Sequence, residues 1–273
     1  MPIISPQFFG NLPRFFTPIF ALLALAACSS ASGPFVAGPI SINEFALNEN
    51  SFEVVPSSSG PGPYWVRYAA ANITYLPNSI ASATNFDTLT SNAVTTDFAI
   101  YGRSNSGQGQ IIVAMLNGAL NAEIKRLGNT TPQATGSATY TGTYMAIYNN
   151  NTYASPGFYA AGHILGLSEL NANFDQATIS GAIRGRANTG GTGLADITLL
   201  PVSIVDGAFT TGGTTGGAFQ LGSYTANNGN YTGLFTGPGG KEVVGLVRLQ
   251  HNPNNGSLIG IYEEFGGFVA HSP

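Results

Sequence analysis

Cysteine occurs once in 273 residues, at Cys28, so no internal disulfide can hold the fold together. Charge is scarce as well: Asp, Glu, Lys and Arg make up 8% of the chain, with 9 basic against 13 acidic residues and a formal net charge of −4. Too few Lys and Arg are present to build the basic surface that a nucleic-acid partner requires. The three histidines, His163, His251 and His271, are far apart and lack the spacing of a zinc site. The apolar segment Phe15 to Ala27 is too short to cross a bilayer comfortably. What the chain has instead is 36 glycines, 11% aromatic residues and 43% hydrophobic residues, with Thr, Ser and Asn supplying the polarity. That composition suits strands and turns around a real core.

The N-terminus has the anatomy of a secretory signal: Arg14, then an apolar run through Ile19, Phe20, Leu22, Leu23 and Leu25, then small residues. It closes on Leu25-Ala26-Ala27-Cys28, which resembles the lipobox of bacterial lipoproteins. The resemblance implies cleavage before Cys28, a diacylglycerol thioether on its sulfur and acylation of the new N-terminus. A thiol suits this step because its thiolate is a strong nucleophile at moderate pH. A free cysteine ending a plain signal peptide, or one held for an intermolecular disulfide, are the alternatives. Ser29 follows, where an aspartate would retain enterobacterial lipoproteins in the inner membrane, so the expected address is the outer membrane. Residues 1–27 are thus expected to form the lipoprotein signal peptide and residues 28–39, rich in Ser, Pro and Gly, a lipidated flexible tether.

From residue 40 to 133 the pattern predicts a smaller, irregular, β-rich region. Tyr64 to Tyr75 and Asp97 to Arg103 read as strands, while Ile111 to Leu127 fits either strand or helix, with Gly118 interrupting it. Residues 134–273 read differently. Ala138 to Tyr148 alternates without a slip, placing Tyr140, Tyr144 and Tyr148 on one face with Ala138, Gly142 and Ala146, and mainly threonines on the other. Large and small side chains interleaved on one face suit the inside of a small closed barrel. Ala177 to Arg186 repeats the device, with Ile179, Gly181, Ile183 and Gly185 predicted inward and Arg184 and Arg186 outward. Further runs at Phe158 to Leu170, Ala195 to Val205, Gly207 to Gly213, Gly222 to Gly237, Lys241 to His251 and Ser257 to Ala270 bring the strands to eight. Asn227 to Asn230 could be a turn within the sixth. The predicted fold is therefore mainly all-β: a C-terminal eight-stranded antiparallel up-and-down barrel, closed so that no strand edge is exposed, preceded by the β-rich region. A membrane-embedded barrel would need a continuous apolar outer band, whereas the outward positions here are Thr, Ser, Arg and Gln.

Within this region Gly233-Leu-Phe235-Thr-Gly237-Pro238-Gly-Gly-Lys-Glu242-Val243-Val-Gly245 resembles the signature of the transferrin-binding protein B-like barrel, a Gly-x-Phe-Tyr-Gly-Pro turn followed by Glu-Val-Gly-Gly. Gly136-Ser-Ala138-Thr-Tyr140-Thr-Gly142 resembles the first barrel strand of that family. Thr236, Gly240 and Val244 depart from its usual residues at positions that concern packing. The resemblance spans Thr131 to about Ala270. It implies a lipid-anchored outer-membrane protein that binds rather than catalyses, with a host or envelope protein or an iron- or haem-containing ligand as partner, and with a surface-export translocator. It maps no ligand residue onto this chain.

Catalytic constellations are missing from the sequence. Gly166 to Leu170 lacks the second glycine of a nucleophile elbow, and Gly239-Gly240-Lys241 is followed by Glu242 and a strand rather than by Ser or Thr and a helix. Glu263 and Glu264 are adjacent, so a strand points them to opposite faces and they cannot pair as acid and base. His163 or His251 could serve as a single haem ligand, against the plainer reading of a satisfied or exposed histidine. No metal, cofactor or catalytic residue is expected. Adaptable contact surface is expected in the loops Asn149 to Pro156, Asn188 to Leu194 and His251 to Asn255, with Tyr153 as an aromatic anchor. A periplasm-facing structural lipoprotein without a small ligand is the alternative function, and a lipocalin-like barrel with an open cavity is a third. Tyr140, Tyr144, Tyr148 and Phe235, expected in the lumen, argue against the third.

Overall fold

A computed structural model describes residues 37, 40–44, 52–56, 64–68, 73–92, 98–116, 119–151, 159–216, 224–253 and 262–273. Cys28, Leu25, Ala26 and Ala27 lie outside the described residues.

The alternating threonine, tyrosine and glycine runs of the C-terminal half become eight long strands: β9 (Ser137–Asn151), β10 (Tyr159–Asn173), β11 (Thr178–Asn188), β12 (Ile197–Ser203), β13 (Ala208–Gly216), β14 (Tyr224–Thr236), β15 (Glu242–Pro253) and β16 (Tyr262–His271). Each pairs antiparallel with its neighbour in sequence, and β16 returns to β9 through ten register pairs from Tyr262↔Asn150 to His271↔Thr141, closing the barrel. Asn227 to Asn230 continues β14 as strand, with a register irregularity between Ala226 and Asn228 in place of a turn.

The lumen is packed. Tyr140, Tyr144, Phe174, Phe209, Tyr231, Phe235 and Phe268 fill it together with Ile179, Ile183, Ile197, Leu199 and Leu249, and Tyr148 packs against them. Rings meet edge-on or tilted, as in Tyr140 with Phe235 at 5.6 Å and Phe209 with Phe235 at 5.9 Å between centroids. Small residues make room for the rings. A side chain at Gly266 would strike the Tyr144 ring, and one at Gly142 would lie 1.9 Å from the Val269 carbonyl oxygen. The interleaving of tyrosine with glycine in β9 and β16 is therefore a packing requirement.

The N-terminal half is a regular antiparallel sheet of eight strands: β1 (Ile40–Glu44), β2 (Phe52–Pro56), β3 (Tyr64–Tyr68), β4 (Ile73–Ala83), β5 (Phe86–Ser91), β6 (Phe98–Arg103), β7 (Gly109–Leu116) and β8 (Ala119–Arg126), in the order β1-β8-β7-β6-β5-β4-β3-β2. The ambiguous run from Ile111 is the β7–β8 hairpin. The sheet curls until its far edge nears β8: the Glu123 carboxylate accepts from the Phe52 backbone N–H at 2.9 Å, and the Lys125 ammonium donates to the Phe52 carbonyl at 2.5 Å. These two side chains, themselves 3.2 Å apart, satisfy backbone groups at the β2 edge.

Both faces of the sheet are apolar. The inner face packs Phe52, Val66, Ile73, Tyr75, Leu89, Ala99, Tyr101, Ile112 and Ala114 together. The other face lays Phe86, Ile100, Ile111, Val113, Met115, Leu120, Ala122 and Ile124 on outward barrel residues Met145, Ile147, Leu234, Val244, Leu246, Phe265 and Val269. Along β9 the outward side thus changes from exposed Thr139 and Thr141 to buried Met145 and Ile147 where the sheet begins to cover it. The apolar sector of the barrel exterior is sheet interface, which is the physical difference from a lipid-facing band.

Two facings are corrected by the structure, those of Gly185 and Arg186, and the first, predicted inward, is exposed. Arg186, predicted outward, is fully buried in the barrel. Gly185 adopts φ +58°, and the β10–β11 register shifts between Leu165 and Leu167, so a bulge inverts the alternation after Ile183. Arg184 is exposed, as expected from the alternation.

Candidate functional site

The signature residues around Gly237 come together at one end of the barrel, where they receive the sheet. Gly237 takes φ +72° and leads into a single 3-10 turn, Pro238–Gly240. Glu242, the first residue of β15, turns its carboxylate toward the sheet: Oε1 accepts from the Ser106 backbone N–H at 2.8 Å and Oε2 from the Ser106 hydroxyl at 2.5 Å. Arg126 is buried beside it and its guanidinium Nη1 donates to the carbonyls of Gly207 and Phe235, each at 3.1 Å. Burial lowers its pKa, and the two carbonyls solvate the charge in place of water. Thr130 donates to the Gly237 carbonyl at 2.7 Å, and the Tyr140 hydroxyl to that of Gly240 at 2.9 Å. Burial pushes the Tyr140 hydroxyl up to about 12, so it stays a donor at neutral pH.

The remaining signature residues serve packing. Phe235 lies in the lumen, Gly233 sits under the Phe209 ring and Gly245 under the Phe268 ring. Gly136 takes φ +82° at the start of β9, where its N–H donates to the Asp175 carboxylate at 3.0 Å. The motif is thus the joint between sheet and barrel. Replacing Glu242 with alanine leaves the Ser106 N–H and hydroxyl without their acceptor. It is expected to cost about 1–3 kcal/mol of stability, read as a lower urea midpoint with faster amide exchange at Ser106. An unchanged midpoint and unchanged exchange would refute this role.

In the lumen, Arg186 Nη2 donates to Glu264 Oε1 at 2.6 Å and also contacts Oε2, and both side chains are fully buried. Tyr144 donates its hydroxyl to Glu264 Oε1 at 2.8 Å. Burial, then the Glu264 charge, holds the Tyr144 pKa well above its ordinary value. Arg186 Nη1 adds a bond to the Ala195 carbonyl at 2.5 Å. Glu263, on the opposite face of β16, pairs with Arg248 at 3.0 Å. The two adjacent glutamates therefore do separate structural jobs.

The histidines stay apart. His163 is buried between barrel and sheet, its ring 5.0 Å from that of Phe98, and its Nε2 finds no hydrogen-bond partner among the described residues. His271 is exposed at the end of β16, and the His251 side chain lies outside the described residues. Among the described residues no group of three His, Cys, Asp or Glu converges as a metal site.

Burial lowers the His163 pKa to about 4, against about 6.5 in an unfolded chain. Above pH 6.5 neither state binds the proton and stability is unaffected. As pH falls toward 4 the unfolded state protonates first, so stability drops by up to about 3 kcal/mol. Urea midpoints of the wild type are expected to fall across this window more steeply than those of His163→Leu, and parallel profiles would refute the assignment.

Strand winding separates the barrel's two ends. The joint end carries the short β10–β11, β12–β13 and β14–β15 turns, with Ala177 and Asp206 at positive φ beside Gly237. The β9–β10, β11–β12, β13–β14 and β15–β16 connections all leave from the other end, spanning 152–158, 189–196, 217–223 and 254–261. The loops Asn149 to Pro156, Asn188 to Leu194 and His251 to Asn255 therefore belong to one end of one barrel. Of the three, the second is described throughout. Asn188 Oδ1 accepts from the Thr192 N–H at 2.9 Å, the Gly191 N–H donates to the Asn188 carbonyl at 2.9 Å, and the Leu194 N–H returns to the Arg186 carbonyl at 2.8 Å. Tyr153 falls outside the described residues. The placement follows from the up-and-down winding that the sequence predicts, since the three loops follow the first, third and seventh strands of the barrel.

No known protein family and no curated protein matches the sequence. Among solved structures, the chain is similar to transferrin binding protein B from Haemophilus parasuis Hp5, a double mutant, at 15% identity over 87% of this chain and 45% of that one, with a TM-score of 0.47. It is also similar to the isotype 1 transferrin binding protein B from serogroup B Neisseria meningitidis, at 18% identity over 72% of this chain and 37% of that one, with a TM-score of 0.44. The chain thus spans less than half the length of these structures.

Proposed function

We propose that this protein is a lipid-anchored binding module of the outer membrane, displayed at the cell surface, whose barrel presents its long-connection end to a protein partner or an iron- or haem-containing ligand. The observation that carries the reading is that β9, β11 and β15 all end, and the connections that follow them all leave, at one end of a solidly filled barrel, opposite the joint with the sheet. A filled lumen leaves surface contact as the mode of binding, and loops on a rigid closed sheet are suited to it. The lipobox-like Leu25-Ala26-Ala27-Cys28 supports the anchor, and the signature from Gly233 to Gly245 supports the family resemblance. Arg186 with Glu264, Arg248 with Glu263 and Glu242 with Ser106 are engaged in structural contacts, which supports binding over catalysis.

Immobilised protein is expected to retain a serum or iron-carrier protein, or to show haem absorbance. Retention should be lost when Asn188–Leu194 and the connections 152–158 and 254–261 are replaced by Gly/Ser segments. Retention of nothing, or equal retention by the replaced form, would overturn the proposal.

A further inference from the structure

The curled sheet has a feature of its own that the barrel end does not share. Where its inner core reaches the β4–β5 and β6–β7 turns, it opens into a cleft of about 750 Å³, within the size range of small-molecule and short-peptide sites. Val54, from the far edge of the curl, forms one wall. Tyr101, almost wholly buried in the inner core, is common to the core and the cleft.

The register decides which polar groups reach the cleft together. Asp87 on β5 is the direct partner of Tyr101 on β6, and Arg103, two residues along β6, is the direct partner of Gln110 on β7. Side chains two apart on a strand and directly opposite across a ladder share a face. One acidic, one basic, one phenolic and one carboxamide side chain therefore line the same cleft, which Asn105 completes. Asp87 and Arg103 are diagonal neighbours, roughly 7–8 Å apart at the backbone, with the Tyr101 position beside both. Both are solvent-exposed.

The rim is tied in place. Asn85, at φ +71°, donates its side-chain amide to the Arg103 carbonyl at 3.0 Å and to Asn105 Oδ1 at 2.8 Å, while its own carbonyl accepts from the Arg103 N–H at 2.9 Å. Ser104 holds the Gly109 N–H at 3.0 Å, and Glu242 holds Ser106 from the barrel. Both turns are thus positioned before any ligand arrives, which lowers the ordering cost of binding.

We propose that this cleft binds a short zwitterionic peptide-like ligand, its carboxylate on Arg103, its ammonium on Asp87 and its apolar body against Tyr101 and Val54. A purely anionic ligand would meet Asp87, and a purely apolar one would strip water from both charges without return. The carboxamide of Gln110 can both donate to and accept from a peptide group. Burial pushes the Tyr101 hydroxyl up to about 12, so it also remains a donor. This site is independent of the partner proposed for the barrel end, because it lies in the sheet.

Calorimetric titration of the full chain in detergent with the dipeptide alanylphenylalanine is expected to show saturable one-to-one binding. Arg103→Gln and Asp87→Asn should each weaken it about ten- to a hundredfold, as expected for losing one charged hydrogen bond. The N-acetylated dipeptide should bind the wild type as weakly as the free dipeptide binds Asp87→Asn. Absence of saturable binding, or equal affinity in both variants and the wild type, would overturn the proposal.

Discussion

Replacing Glu264 with alanine is expected to destabilise the barrel by about 3–5 kcal/mol, a large share of a domain's total stability. The reason is what remains. Arg186 is fully buried in the lumen, and with Glu264 gone its guanidinium keeps a carbonyl contact to Ala195 but loses its counter-charge, while Tyr144 loses its acceptor. An isolated charge in a low-dielectric interior costs far more than the pair gains. The double replacement Glu264→Leu with Arg186→Met removes both charges at similar volume, so it should cost much less than the two single changes summed. Chemical denaturation of the wild type, Glu264→Leu, Arg186→Met and the double replacement measures this coupling directly. A cost below about 1 kcal/mol for the single change, or additivity in the cycle, would contradict the buried pair.

The second large effect concerns Cys28. In Cys28→Ser the hydroxyl cannot replace the thiolate as nucleophile, so no thioether forms and cleavage before residue 28 should fail. Radioactive palmitate is expected on the wild-type protein and absent from the variant. One acyl chain binds a membrane only marginally, at about 10⁴ M⁻¹, whereas several hold it firmly. Detergent-free washing should therefore leave the wild type with the membrane after signal cleavage, while the variant should persist at its precursor size. Label missing from the wild type would remove the anchor from the account.

The barrel was legible because its strands are long and one-sided: Tyr140, Tyr144 and Tyr148 recur every four residues with glycine and alanine between, a pattern only a packed lumen explains. Short strands were legible only where aromatic residues mark them, as in β3 with Tyr64, Trp65 and Tyr68 and β6 with Phe98 and Tyr101, whereas the equally short β1, β2 and β5 carry at most one aromatic each. The inward turn of Arg186 was hidden because a glycine in a strand pattern does not announce whether it is packed flat, as Gly142 is, or bulged at positive φ, as Gly185 is. The work of Glu242 was hidden for another reason. Its partner Ser106 lies 136 residues away, in a turn with no distinctive composition, and only the docking of sheet on barrel brings them together.

The role of the signature follows from the same contacts. Gly237, Pro238 and Glu242 shape a joint, so variation there is expected to change stability and sheet placement before it changes any ligand contact. Binding specificity would instead vary with the connections at the opposite end, which the closed sheet can carry without altering its core.

Flow cytometry of intact cells exposed to fluorescently labelled serum proteins tests the central claim most directly. Cells carrying the wild-type protein are expected to bind label, whereas cells carrying Cys28→Ser, or the form with Asn188–Leu194 and the connections 152–158 and 254–261 replaced, should not. No binding by the wild type, or equal binding by the loop-replaced form, would contradict a surface-anchored barrel that works through its long-connection end.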